Sequence, residues 1–472
     1  MLRAIRCAVV LLAACGETPT ASGNETDGVT TTADASNEAS TNGQDTQDSS
    51  EGNEPADTSG TEEPEGTSTD AGDADEPPGR TPARCGAGTA TGGTLLWSHV
   101  GSWLGSGGVV SPSALAVRRD GVVIVAGDVE AQPPGSAALD AVTLAFDDTG
   151  ALLWKDRYDG DASLEDRATR IAIDGADGVN VLVEERVLEV VGESDLAISD
   201  RATVLRYRPD GTRAWRYGTT PIDHEPWAQD FVWTGLGSTE SGDIALVDWY
   251  WHEPVRYTAL DRWGNADETS LGEVDGYDGF TAFTPDGDVF IGMSQLTLSD
   301  DVSIRRLARD GTERWSKHYG DDDTRIVDML VDGEDGLWVA TQGFDGNQRM
   351  MHRFGPQGDE LIAVELEALL DGRMAAAAVH CSGDLLLVGT RDEEFDTLWD
   401  DYIAVSRASP DGVRHWQGLA PLGPEARATG LRVAGAPNGD VFVAGVRFHG
   451  SYDDREAWLG RFGGSTRAAR PR

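Results

Sequence analysis

A pattern of the form Φ-x-R-Φ-x-x-x-G-x-x-x-W returns every 47 to 61 residues from Gly93 onward. Its clearest copies are VLRYRPDGTRAW at 204–215 and IRRLARDGTERW at 304–315, with related copies at 144–154 and 405–416. Between them runs a second pattern, a Gly-centred turn that opens an apolar burst, as in DGVVIVAG, DGDVFIG and NGDVFVAG. A unit this short cannot bury a face alone, so each copy must stack on its neighbours. Short strands, evenly spaced and joined by Gly turns, specify a β-propeller.

Both patterns repeat seven times. The Trp-bearing series is centred on Gly93, Gly150, Gly211, Gly264, Gly311, Gly358 and Gly412. The second is centred on Gly121, Gly178, Gly242, Gly287, Gly336, Gly383 and Gly439. The reading is all-β: a seven-bladed ring of four-stranded antiparallel blades, each running A-turn-B, loop, C-turn-D. The glycines supply the positive φ that such turns require. Two copies lose their Trp, to Glu268 and Ile362. The chain enters on a lone D strand, GTLLWSHV at 93–100, and leaves on a C strand, AWLGRFGG at 457–464. The entering strand is therefore expected to complete the last blade and close the ring, leaving no bare sheet edge. The repeat tryptophans are expected between the sheets of adjacent blades.

Three regions follow: 1–14, 15–84 and 85–472. The first has a basic start at Arg3 and Arg6, then a short apolar run too brief to span a bilayer, and reads as an export signal. Its end, Leu12-Ala13-Ala14-Cys15, resembles the lipobox of bacterial lipoproteins, in which the Cys is acylated. Gly16 follows, which by resemblance to the bacterial sorting rule implies the outer membrane, with the ring periplasmic or surface-exposed. Residues 16–84 hold no aromatic side chain, 17 acidic residues and only Arg80 and Arg84 as basic ones. Such a stretch cannot bury enough apolar surface to order itself and reads as a disordered acidic tether. It spans roughly 45 Å as a random coil. Export permits a disulfide, and Cys85 and Cys381 are the candidate pair because both fall toward the A-B turn side.

The chain carries 82 acidic against 38 basic side chains, for a net charge of −44. That charge excludes nucleic acid as a partner and confines membrane contact to the lipid anchor. The D-A and B-C loops share the opposite face, and candidate site residues are sought there. Trp227, Trp249, Tyr250, Trp251, Trp399 and Tyr452 fall outside the repeat positions and form a candidate surface for a protein or glycan partner of a monomeric ring. Asp159, Asp161 and Glu165, and separately Asp321 and Asp323, are weaker candidates for Ca²⁺, a hard ion wanting oxygen ligands. Neither HExxH, G-x-S-x-G, a P-loop nor a Cys/His zinc spacing appears, so no catalytic residue is assigned.

The repeat resembles those of exported bacterial β-propeller lipoproteins. It is also similar to the quinone-cofactor dehydrogenase propeller repeat, whose T-G-x-x-x-W turn is matched by residues 149–154. That second resemblance implies an alternative class: a quinone- or Ca²⁺-dependent oxidoreductase, or a glycan-active lyase or hydrolase. The quinone branch usually has eight blades and an adjacent Cys-Cys pair, whereas this chain shows seven copies and keeps Cys85 far from Cys381.

Overall fold

The computed structural model describes Gly86 and residues 92–465, except 105–107, 131–138, 161–163, 192–194, 224–232, 240–241, 250–253, 274–277, 295–301, 320–323, 344–348, 392–401, 424–425 and 450. Strands group into seven antiparallel sheets of the order A-B-C-D. We number the blades I to VII. Their A strands are Ser111–Val117, Asp166–Ile173, Trp233–Ser238, Asp278–Phe283, Thr324–Val331, Arg373–Val379 and Ala426–Gly435. Each A strand touches the A strands of both neighbouring blades, VII against I included, so these strands encircle the axis. Among the described residues the one helix is the short Leu366–Leu369.

The core is divided in the same way. Seven apolar clusters each lie between two adjacent blades. The VII/I cluster, with Val125, Leu144 and Phe146 against Phe442 and Leu459, is built like the others. A blade thus has no core of its own, which is why the repeat needs a ring.

Closure follows the expected route. The strand Leu95–Gly101 pairs with Ser451–Phe462, placing Trp97 opposite Arg461. The junction also reproduces a turn. In an intact turn such as 147–151, the first N–H donates to the fifth carbonyl and the fourth N–H donates back to the first. At the chain ends, Gly463 N–H donates to Thr94 O (2.8 Å) and Gly93 N–H to Gly463 O (2.8 Å). The seventh C-D turn is therefore made from two chain ends, with Gly93 holding φ at +77° like its counterparts.

The motif's Arg and Trp have one target. They are cross-strand neighbours, as in Arg206↔Trp215, Arg306↔Trp315 and Arg407↔Trp416. Both reach the C-D turn of the next blade. Arg306 Nη1 and Trp315 Nε1 each donate to Pro356 O at 3.0 Å. Arg461 Nη1 (2.6 Å) and Trp97 Nε1 (3.1 Å) both donate to Asp148 O. The turn glycine is needed for this approach as well as for its φ. A Cβ at Gly211 would stand 2.5 Å from the Trp154 ring. Where Trp is replaced, Gly412 meets Ile362 and Val364 instead. Where Ala145 replaces Arg, Arg118 from the A-B turn donates to Pro209 O (2.7 Å).

Each motif Arg is also paired with an Asp of its own A-B turn: Arg206–Asp174, Arg306–Asp288, Arg353–Asp332, Arg407–Asp384 and Arg461–Asp440. In blades IV, VI and VII that Asp is the last turn residue. In II and V it is the first, and this corrects two of the expected turn glycines. At those turns the positive φ belongs to Asp177 and Asp335, not to Gly178 and Gly336. Asp tolerates this conformation better than most residues. Gly178 is required for another reason: Asp174 Oδ2 lies 2.4 Å from where its Cβ would be.

Trp315→Ala is expected to cost about 3 kcal/mol or more by opening the IV/V junction. Trp263→Ala, at a C-D turn position 68% exposed, should change stability by about 0.5 kcal/mol at most. Chemical denaturation of both variants checks the pair. Removing residues 92–101 should lower the melting temperature sharply, and an unchanged value would refute closure through the split turn.

Candidate functional site

The two faces of the ring are chemically different. The turn face carries short five-residue turns whose polar groups are largely used internally. Asp147 Oδ1, for example, accepts from the Thr149 and Ala151 N–H groups at 2.9 Å each. The opposite face carries the D-A and B-C connections, and the long B-C hairpin of blade II rises from it. Strands Val179–Val191 and Asp195–Tyr207 stay paired through Val191↔Asp195, well past the point where the B strands of most other blades end. From Glu185 to Val191 the arm extends about 20 Å. Residues Ile222–Asp223 add a short strand against Asp200 and Ser199. Leu188 on this arm is 48% exposed.

At the base of the arm lies a buried carboxyl pair. The register sets Asp166 of strand A opposite Glu185 of strand B, and neither is exposed. Glu185 is satisfied as an anion. It accepts from Arg201 Nη2 (2.7 Å), Thr203 Oγ1 (2.8 Å) and the Tyr158 hydroxyl (3.0 Å). Burial acts to raise its pKa, but these donors outweigh it and the net shift is downward. Asp166 is the other half. Its Oδ2 accepts the Gly160 N–H at 2.5 Å, and its Oδ1 has no partner. Burial, with repulsion from Glu185, Asp159 and Asp140, raises its pKa to about 7. A proton on Oδ1 would leave it neutral beside ionised Glu185. Gly160 closes over both groups: a Cβ there would come within 2.6 Å of Glu185 Oε1 and 2.8 Å of Asp166 Oδ1. Asp128 nearby is also raised, to about 6, by burial opposed by Arg167 and Arg455.

The residues singled out in the sequence are distributed differently from expectation. Trp249 is not a loop residue. It ends strand Ile244–Trp249, is 1% exposed and packs with Val255, Tyr257 and Met293 in the III/IV core. Blade III lacks the motif's Trp and Arg, and Trp249 packs the same junction from its loop-face end. Tyr452 lies in strand Ser451–Phe462. Glu165 is engaged by Arg167 (3.2 Å) and Arg186 (3.0 Å), so its carboxylate serves ion pairs. Asp159 is exposed beside Gly160. Trp227, Tyr250, Trp251, Trp399, Asp161, Asp321, Asp323, Cys15 and Cys85 lie outside the described residues. Among the described residues, no three His, Cys, Asp or Glu side chains gather as a metal site. Cys381 is disulfide-bonded. The Asp166–Glu185 pair was not legible in the sequence, because the two residues meet only through strand register.

Asp166 is held above its unfolded value of 3.8, so the native ring keeps a proton that the unfolded chain releases. Its stabilising contribution is complete below about pH 4 and is lost as pH rises through about 7. Asp166→Asn, which mimics the protonated form, should flatten the decline in stability between about pH 4 and 7. Denaturation curves across that range check it, and an unchanged slope would assign the proton elsewhere.

No protein-family model matches the chain, and no curated protein does. Among solved structures it is similar to the periplasmic gluconolactonase PpgL of Pseudomonas aeruginosa, at 15% identity and TM-score 0.44 over 66% of this chain and 86% of that one. A protein from Lactobacillus plantarum gives 14% identity and TM-score 0.41 over 64% and 86%. Prolyl oligopeptidase B from Galerina marginata gives 11% identity and TM-score 0.41 over 72% of this chain and 46% of its own. Likenesses at this level carry no argument about activity, and the propeller rests on the strand order and closure described above.

Proposed function

We propose that the protein is a lipid-anchored module of the cell envelope that binds a protein or glycan through its loop face and does not catalyse. The observation that carries this reading is where the chain joins the ring. Gly86 N–H donates to Pro437 O (2.6 Å), in the A-B turn of blade VII. The chain thus enters on the turn face, one blade from the disulfide-bonded Cys381 in the A-B turn of blade VI. An anchor at Cys15, joined to the ring through the acidic 16–84 stretch, would leave the loop-face connections uninvolved in the attachment. We take Cys85 to be the partner of Cys381, fastening the entry point covalently. The raised hairpin of blade II gives the free face a shape suited to a large partner. The Asp166–Glu185 pair is roofed by Gly160 backbone, which favours a structural polar network over an exposed general acid.

Two measurements test the parts separately. Wild-type protein should incorporate a labelled fatty acid and partition with membranes, and Cys15→Ser should do neither. A wild-type chain that takes up no label is not a lipoprotein. For the face, Trp227→Ala, Trp251→Ala and Trp399→Ala would be tested by isothermal titration with purified envelope polysaccharides and by in-cell photocross-linking from position 399. Loss of one aromatic anchor worth about 2 kcal/mol weakens binding about thirtyfold. Trp249→Ala serves as the contrast, lowering stability by about 3 kcal/mol with binding per folded molecule unchanged. Full binding by all three loop variants would end the aromatic-face reading.

A further inference from the structure

The junction between blades I and II is held at both ends. On the turn face Arg118 reaches the C-D turn of blade II. At the loop-face end the contact is made by the buried carboxyl pair. Asp166 and Glu185 form the last rung between the A and B strands of blade II before the hairpin arm leaves the ring. Tyr158, which ends the D strand of blade I, donates across the junction to Glu185 (3.0 Å). Its oxygen in turn accepts from Arg216 Nη1, on the D strand of blade II (2.9 Å). Just past the rung, Arg186 N–H donates to Glu165 O (3.0 Å).

The two carboxyl groups share the available donors unequally. Glu185 takes two from Arg201, at 2.7 Å on Oε1 and 3.3 Å on Oε2, and one each from Thr203 and Tyr158. Asp166 takes one, the Gly160 N–H on Oδ2. Its Oδ1 is buried without a partner, and it converges with Glu185 Oε1 on the place that a Cβ of Gly160 would fill. Among the described residues no cation pairs with Asp166. The arginines nearby are engaged elsewhere: Arg201 with Glu185, Arg157 with Asp140, and Arg167 and Arg186 with Glu165. Arg213 lies over the Tyr158 ring (5.1 Å), and Asp128 faces Arg167 and Arg455. Glu185, Asp159 and Asp140 all act on Asp166 as negative charges. An ionised Asp166 would be a buried anion with one hydrogen bond beside a second anion. A protonated Asp166 is neutral, and its Oδ1 becomes a donor aimed toward Glu185 Oε1. The proton is the partner that Oδ1 lacks.

We propose that this pair is a proton-operated clasp at the loop-face end of the I/II junction, shut while Asp166 carries its proton and loosened when that proton is lost. Glu185, with its four donors, stays fixed. What gives way is the weaker contact, Asp166 with Gly160, and with it the rung beneath the arm. Burial is the main cause that raises the pKa of Asp166 to about 7. In a loosened clasp the group meets water and its pKa returns toward 3.8. Loosening is therefore favoured by up to about tenfold per pH unit from about pH 4 to 7, and levels off above that range. The long arm of the loop face stands on a base whose firmness follows pH.

Hydrogen exchange of the full-length protein, read by mass spectrometry and corrected for the intrinsic pH dependence of exchange, tests this. The reporters are the Gly160 and Arg186 amides, and the blade V strands Thr324–Val331 and Leu337–Gly343 are the reference. In wild type, protection of both reporters should fall about tenfold or more between about pH 5 and about pH 7.5, with the reference unchanged. Asp166→Asn, which carries a donor permanently, should keep its protection at the higher pH. Gly160→Ala, whose methyl group would meet both carboxyl oxygens, should lose protection at both values. Equal wild-type protection at the two values, or a loss shared by the reference strands, would overturn the proposal. An Asn variant that still loosens at the higher pH would overturn it too. If Asp166→Asn fails to fold, the wild-type profile and Gly160→Ala decide, and wild-type protection in the Ala variant at the lower pH counts against the clasp. None of these outcomes bears on the anchor or on the aromatic variants that test the loop face.

Discussion

The ring leans on one kind of hydrogen-bond acceptor, the second carbonyl of the C-D turn, which at five of the seven junctions the preceding blade grips with a guanidinium or an indole N–H. Each sheet would otherwise present a flat apolar face that could slide against its neighbour. The clamp fixes register between blades as turns fix it within a blade. It also explains why Arg, Gly and Trp recur at fixed spacing. Arg and Trp must be cross-strand neighbours facing the same way, and Gly must leave room beneath the next Trp. Breaking a partly buried Arg–Asp pair leaves an uncompensated charge, so these pairs act chiefly to enforce one arrangement. Junction III/IV lacks both motif residues and is filled by Trp249 and by the Tyr257 hydroxyl, which reaches Gly287 O (3.2 Å).

What was legible in the sequence follows from that division of labour. Blade count, strand order and the closing strand were all readable, because they rest on residues that recur. The errors fell where a local solution differs from the repeat. Gly178 and Gly336 look like the other turn glycines, yet moving the Arg-pairing Asp to the front of the turn shifts the positive φ to Asp177 and Asp335. Trp249 looked like a loop residue because it stands outside the motif, but it ends its strand and packs in the III/IV core. The Asp166–Glu185 pair depends on a pairing across 19 residues. No spacing in a single strand announces it. The extended hairpin of blade II could have been suspected from the unbroken β-branched and charged run after Gly178.

Charge is partitioned by the same architecture. Much of the arginine is spent on staples between blades, against a carboxylate or a carbonyl. What remains on the exterior is the surplus of Asp and Glu. A surplus of this size makes rings repel one another, and it leaves attraction to basic or neutral partners intact.

The two faces are therefore under different physical constraints. On the turn face the polar groups are used within the turns or in the clamp, so a substitution at a clamped turn is felt at the junction between two blades. On the loop face the B-C connection of blade II lengthens into a paired hairpin while the seven-sheet ring stays intact. If the proposed binding role holds, specificity is expected to reside in the loop-face connections, because the repeat residues are spent on packing blade against blade.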